Sequence, residues 1–367
     1  MKKIIYLDAA ATYLKPEKMI KRQANFLRNE YANSGRGVCA RVSNVDNMVR
    51  VTRELVAKFI NCDSENVVFT FGTTDGVNRI LNILRATKGM WGKNIVCCGS
   101  DLDHHSLRGP FENSESKFVV CPLDKNLNID YKKIPYCDVL LITAMSNVLG
   151  VPQDVEKIIK YARKKNPNVI TVVDCAQYVV HNAIDVKKWD CDFMCFSGHK
   201  IGADTGIGVM YIKNPERFSP DKFGGGMVKR IVDKKWILEQ EPNRFEAGTL
   251  PITQIAGLSV TITELEKHRP DLNLIKFMYD ELSKNKRIHI ISKPNSSVLS
   301  FVIDDMHVLD FGALIAQYNI CMRVGNMCAS WIHKFLGVDG SIRISVGSWN
   351  TMHDIKYAIK IINKIIK

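Results

Sequence analysis

The chain has 367 residues, 46% of them hydrophobic and 24% charged. Those are the proportions of an ordinary globular protein, long enough for a large core and two domains, and they exclude a disordered or fibrous chain. The net charge of +13 comes from 51 Lys and Arg against 38 Asp and Glu. The lysines are spread along helix-like and terminal segments, with no basic block interleaved with aromatics, so nucleic acid is not the expected partner; anionic small molecules or an acidic protein fit the charge better.

The run Ile4–Leu7 before Asp8 is too short for a signal-peptide core, and no window reaches the roughly 18 apolar residues of a membrane span. The expected location is the cytoplasm. The odd count of 11 cysteines, scattered through apolar runs, argues against a disulfide framework. Cys191 and Cys195 read as neighbours on one face of a strand, about 13 Å apart at the usual rise, too far to share a zinc ion.

In chain order, "NVVFTF" (66–71) predicts a strand and "GTTDGVNRILNILRAT" a helix. "NIVCCG", "KFVVCPL" and "CDVLLITAM" predict three further strands, and "PQDVEKIIKYARKKN" an amphipathic helix. "NVITVVDCA" and "CDFMCFSGH" are strands again, and "GIGVMYIK" (206–213) reads as an antiparallel return strand. Near-continuous apolar runs separated by amphipathic helices mark a mostly parallel sheet covered on both faces. Beyond about residue 250, a long helix, the short strands in "SSVLSFVI" and "GSIRISV", and a terminal helix predict a smaller α+β domain.

Ligands of such sheets bind at the carboxyl ends of the strands. There the sequence places Thr73 and Thr74 at a helix start, an anion cradle, then His104-His105, Ser146-Asn147, Asp174-Cys175-Ala176-Gln177 and Ser197-Gly198-His199-Lys200. A lysine for a Schiff base and an aspartate to keep a pyridine nitrogen protonated are the parts that pyridoxal phosphate requires. "RVGNMCAS" raises a separate question. Cys328 stands in a loop-forming stretch between Arg323 and Arg343, where a thiolate finds cationic company.

The ordered set "YLDAAAT", "FTFGTTDGVN", "DLDHHS", "MSNVLG", "VVDCAQ", "FSGHKIGADTGIG" and "FEAGT" resembles the class V group of fold-type I pyridoxal-phosphate enzymes. More narrowly it resembles cysteine desulfurases of the sulfur-mobilisation branch, which also holds selenocysteine lyases. The likeness runs from Tyr6 to about Ser348. It implies an α/β fold with a large domain (16–250) built on a mostly parallel seven-stranded sheet, and a small α+β domain (1–15 and 251–367) carrying the cysteine loop and the substrate arginine.

The resemblance also implies roles. Lys200 carries pyridoxal 5′-phosphate and takes the substrate's Cα proton, Asp174 pairs with the ring nitrogen, and His104 stacks on the ring. Asn147 and Gln177 serve the ring hydroxyl side, while Thr73, Thr74, Ser197 and His199 hold the phosphate. Thr249 reaches the phosphate of a second subunit, implying a homodimer. Arg343, with Arg323 and Asn147 beside it, binds the carboxylate of L-cysteine. Cys328 takes the sulfur as a persulfide for an acceptor protein or thiol, as in iron–sulfur cluster biogenesis.

Three departures stand out. The loop reads Arg-Val-Gly-Asn-Met-Cys, without the histidine that the family usually places before the thiol. Cys39 replaces the histidine of an early Arg-Gly-x-His segment, and "GADTGIG" lacks the usual proline. Two other readings share the cofactor: a selenocysteine lyase, and an aminotransferase, racemase or epimerase. One of another class is a non-catalytic scaffold or partner in a nucleic-acid-modifying complex.

Overall fold

Strands of this chain that lie between two layers of helix carry apolar side chains on both faces, and their alternation divides them between two cores. A computed structural model describes residues 4–35, 37–267, 269–294 and 296–367. Its main sheet has seven strands in the spatial order Val67–Thr70, Gly208–Ile212, Phe193–Ser197, Ile170–Asp174, Val139–Thr143, Val96–Ser100 and Lys117–Cys121. Gly208–Ile212 runs antiparallel to both neighbours and the other pairings are parallel. The expected α/β sheet with one return strand is therefore present.

Val67, Phe69, Leu140, Ile142, Val173, Met194 and Phe196 point into one core. Val68, Val139, Leu141, Val172, Phe193 and Cys195 point into the other. Each such side chain, fully buried, contributes roughly 1.5–3 kcal/mol. The strand begins at Phe193, so Cys191 lies just before it rather than in the same strand as Cys195.

The covering helices form where the sequence pattern predicts. In Val155–Lys165 the Asp154 side chain caps the first turn by accepting from Lys157 N. The buried Val155, Ile158, Ile159 and Ala162 fall on one helical face. Thr73–Ala86 starts directly after the first sheet strand, with Gly72 at its amino end at φ +145°.

A separate core lies under a four-stranded antiparallel sheet in the order Ile288–Ile290, Leu299–Ile303, Ser341–Ile344 and Arg323–Gly325. Phe301, Phe311, Met278, Ile355 and Ile362 fill it, and Ile5 and Leu7 join from the amino-terminal segment. Ile5–Tyr6 pairs in parallel with Ile320–Cys321. Helix Ile252–Lys267 packs on the helices Glu17–Asn25 and Ala40–Ile60. Its Ile252, Ile255 and Leu258 belong to the first core, which thus extends past residue 250.

Candidate active site

Parallel strands in register bring their last residues to one edge. Thr143 pairs with Asp174 and Asp174 with Cys195, while Ser197 ends its strand against the start of the antiparallel return strand at Gly208. The polar residues that follow those strands line a cavity of about 240 Å³.

Asp174 ends its strand 5% exposed, with Oδ1 accepting from Ala176 N at 2.8 Å. Burial pushes its carboxyl up to about 6, opposed by the Ala176 bond and the nearby Lys200. Lys200 lies in the short turn Gly198–Ile201 after the next strand. Burial, helped by Arg343, pushes its amine down to about 8. A lysine so placed is partly neutral near pH 8 and can accept a proton. Its Nζ donates to Ala10 O at 2.6 Å, and Gln177 Nε2 donates to the same carbonyl at 2.7 Å.

His104 precedes the helix His105–Glu112, and its Nδ1 accepts from Ser106 N at 3.1 Å. That bond leaves Nε2 as the protonated nitrogen. Burial, then Lys200, lowers its pKa to about 4, so the ring is neutral at pH 7. Beneath the preceding loop, Asp103 accepts from Ser100 N at 2.7 Å and from the Thr143 hydroxyl at 2.8 Å.

The start of helix Thr73–Ala86 holds the residues that the sequence marks as an anion cradle, where first-turn N–H groups have no intrahelical acceptor. Ser197 Oγ accepts from Thr73 N at 2.7 Å and lies 2.8 Å from Thr73 Oγ1. Thr74 Oγ1 lies 2.6 Å from Ser106 Oγ. A side chain at Gly72 would meet Ser197 Oγ at 3.2 Å. His199 Nδ1 lies 3.2 Å from Thr12 Oγ1, and burial with Lys200 beside it holds that ring's pKa down to about 4.

The remaining groups meet at Asn147. Its backbone oxygen accepts from Arg343 at 3.0 Å, and its side-chain nitrogen donates to Met327 O at 2.7 Å. Asn147 Oδ1 and Arg343 Nε are both buried without a hydrogen-bond partner. The cysteine loop is also anchored through His105, whose N donates to Cys328 O at 2.8 Å. Met327 and Cys328 are both left-handed, at φ +52° and +53°, which costs about 1 kcal/mol or more for each non-glycine residue. Cys328 itself is exposed.

Thr73, Thr74, His104, Asn147, Asp174, Gln177, Ser197, His199 and Lys200 thus line one cavity. Arg343 and Cys328 adjoin it through Asn147 and Met327. Arg323 is half exposed and shares the Asp8 carboxylate with Arg343. Thr249 is exposed and lines a different cleft, of about 800 Å³, with Arg53 and Glu246. Cys39 is exposed as well, so packing does not explain every cysteine other than Cys328. The sequence reading did not single out Asp8, Ala10, Asp103 or Thr143; Asp8 sits in the quoted "YLDAAAT", and that motif was its one available signal.

An amine, a buried acid, a neutral imidazole and an anion cradle converging at the carboxyl edge of such a sheet match the plan of the class-V aminotransferases. The family model described as aminotransferase class-V matches residues 5–358. The cysteine desulfurase of Wigglesworthia glossinidia brevipalpis is 32% identical over 390 aligned positions, covering 99% of this chain and 93% of its own. That of Pectobacterium carotovorum is 32% identical, covering 96% and 90%.

Among solved structures, the apo cysteine desulfurase of Thermococcus onnurineus superposes with a TM-score of 0.91 at 28% identity, covering 99% of this chain and 94% of that one. The Escherichia coli cysteine desulfurase CsdA, in an S-sulfonic acid form, gives 0.88 at 29%, covering 98% and 94%. The chain belongs to the class-V aminotransferase family, in its cysteine desulfurase branch. No described helix is long and apolar enough to cross a membrane.

Proposed function

We propose that the protein is a pyridoxal 5′-phosphate-dependent cysteine desulfurase that converts L-cysteine to L-alanine and leaves the sulfur on Cys328 as a persulfide. The observation that carries this reading is the attachment of the Cys328 loop to the cavity through Asn147 and His105. It ties the loop that carries the thiol to Asn147, whose backbone oxygen also holds Arg343, the arginine read as the carboxylate-binding group.

The donor set fits the cofactor. Thr73, Thr74, Ser197 and His199 would hold its phosphate, Asp174 its ring nitrogen and His104 its ring face. Gln177 and the unpartnered Asn147 Oδ1 would serve its hydroxyl side. When bound there, it supplies an electron-accepting ring that lets the bond between Cβ and sulfur of the substrate break.

The chain's own residues do the rest. Arg343 grips the substrate carboxylate with a guanidinium already fixed in place. Lys200, its amine lowered to about 8, takes the Cα proton. His104 holds its proton at Nε2, on a ring kept neutral by burial. The Cys328 sulfur attacks the substrate sulfur, so that an S–S bond forms as the C–S bond breaks. The thiol proton ends, in net, on Cβ of alanine, and atoms and electrons balance without an outside oxidant.

Thr249, exposed and outside the cavity, would serve the phosphate of a second copy in a homodimer. The exposure of Cys328 suits delivery to an acceptor protein or thiol in the cytoplasm. The test is to load the protein with pyridoxal 5′-phosphate, supply L-cysteine and a reducing thiol, and measure alanine and sulfide. Equal amounts of the two support the reading, and alanine without sulfide contradicts it.

A further inference from the structure

Among the described residues, Asp8 is the one carboxylate that touches both arginines of the site. Its Oδ1 accepts from Arg343 at 3.0 Å, and its Oδ2 lies 3.0 Å from Arg323 Nε and 2.8 Å from the same guanidinium's terminal nitrogen. Arg323 and Arg343 stand directly opposite each other on neighbouring antiparallel strands. Like charges so placed repel unless something between them carries the opposite charge. Asp8 is 5% exposed and Arg343 2%, so between these two little water intervenes to do that work, while Arg323 is half exposed.

The backbone fixes the carboxylate. Leu7 O accepts from Ser345 N at 2.9 Å, Ala9 N donates to Ser345 O at 3.4 Å, and Ala10 N donates to Ser345 Oγ at 2.8 Å. Asp8 is therefore locked to the strand that carries Arg343. The planar guanidinium of Arg343 is held from two sides, by Asp8 on one terminal nitrogen and by Asn147 O on the other. Its Nε is buried and without a hydrogen-bond partner.

We propose that Asp8 is the positioning residue for substrate recognition: together with Asn147 O it fixes the orientation of the Arg343 guanidinium, the group read as binding the substrate's carboxylate. The inference rests on the reading of Arg343 as the carboxylate-binding group. Asp8 touches no reacting atom. Its negative charge also opposes the lowering of the Lys200 amine by the two arginines, so removing it pushes that amine further down.

The test compares two ligands that differ by a carboxylate, L-alanine and ethylamine, by titration calorimetry on the cofactor-loaded wild type, Asp8→Asn and Asp8→Glu. Asp8→Asn is expected to weaken L-alanine by about ten- to a hundredfold, the loss of one charge-assisted hydrogen bond, and to leave ethylamine within about twofold. Its KM for L-cysteine is expected to rise by a similar factor while kcat falls less than about threefold, the split expected of lost ground-state binding. Asp8→Glu, which keeps the charge, is expected to recover part of the preference. An Asp8→Asn variant that keeps the full preference for L-alanine, or that weakens both ligands equally, overturns the inference and leaves the proposed function standing. A wild type that does not distinguish the two ligands overturns the carboxylate pocket itself, and the inference with it.

Discussion

The side-chain nitrogen of Asn147 donates to the carbonyl of Met327 at 2.7 Å, joining the cavity wall to the residue before Cys328. One amide thus couples the site to the loop that carries the thiol, while the Arg343 contact uses the Asn147 backbone and survives a change of side chain. Asn147→Ala is expected to lower kcat by about ten- to a hundredfold, the cost of misplacing a reacting group. Hydrogen exchange over 323–330 should quicken in the same variant. Unchanged exchange there would mean that Asn147 does not hold the loop.

Among the described residues that line the cavity, Lys200 supplies the one amine, and it is lowered to about 8. Lys200→Ala is expected to cut alanine formation by at least about a thousandfold, within the range for loss of a positioned acid–base group and more where the group also binds the cofactor. The visible absorption that the wild type gains with pyridoxal 5′-phosphate should be lost with it. A variant that keeps the absorption and most of the activity would remove Lys200 from its role.

Burial raises the Asp174 carboxyl from 3.8 in the unfolded chain to about 6 in the fold. Below the lower value the group is protonated in both states and costs nothing. As pH rises toward about 6 the unfolded chain ionises first, so stability is lost across that window, on the order of 3 kcal/mol in all. Cofactor-free Asp174→Asn should therefore be more stable than wild type at pH 7 in urea unfolding, and the gap should close as pH falls from 6 toward 4. The same variant should bind pyridoxal 5′-phosphate more weakly. A gap independent of pH would contradict the burial argument.

Glu246, in "FEAGT", makes a buried ion pair with Arg53 at 2.8 Å and accepts from Phe69 N at 2.7 Å. It fastens the segment leading to Thr249 onto the first sheet strand. Glu246→Ala strands a buried guanidinium and is expected to cost about 3–5 kcal/mol, read as a lower thermal midpoint. Little change in the midpoint would mean that the pair is not holding the segment.

The large sheet was legible because its strands are apolar on both faces, and the return strand because "GIGVMYIK" follows a glycine-rich turn. Nine of the cavity residues were legible because each ends or follows a strand or opens a helix. Three things were not. The carbonyl of Ala10, which receives both Lys200 and Gln177, is a backbone atom, and no side-chain pattern reports where it points. Asp8 meets its arginines across 335 and 315 residues of chain, a pairing that only the docking of the amino-terminal segment creates. Helix Ile252–Lys267 reads as the start of the small domain, yet its apolar face packs on helices near the amino terminus, because periodicity tells which face is buried but not against what.

The most direct measurement is mass spectrometry of the Cys328 peptide after brief exposure of the cofactor-loaded protein to L-cysteine. One added sulfur atom on that peptide, absent from the Cys39 and Cys62 peptides and lost in Cys328→Ser while cofactor absorption remains, is the predicted result. Sulfide released at the wild-type rate by Cys328→Ser, with no sulfur ever found on Cys328 in the wild type, would contradict it.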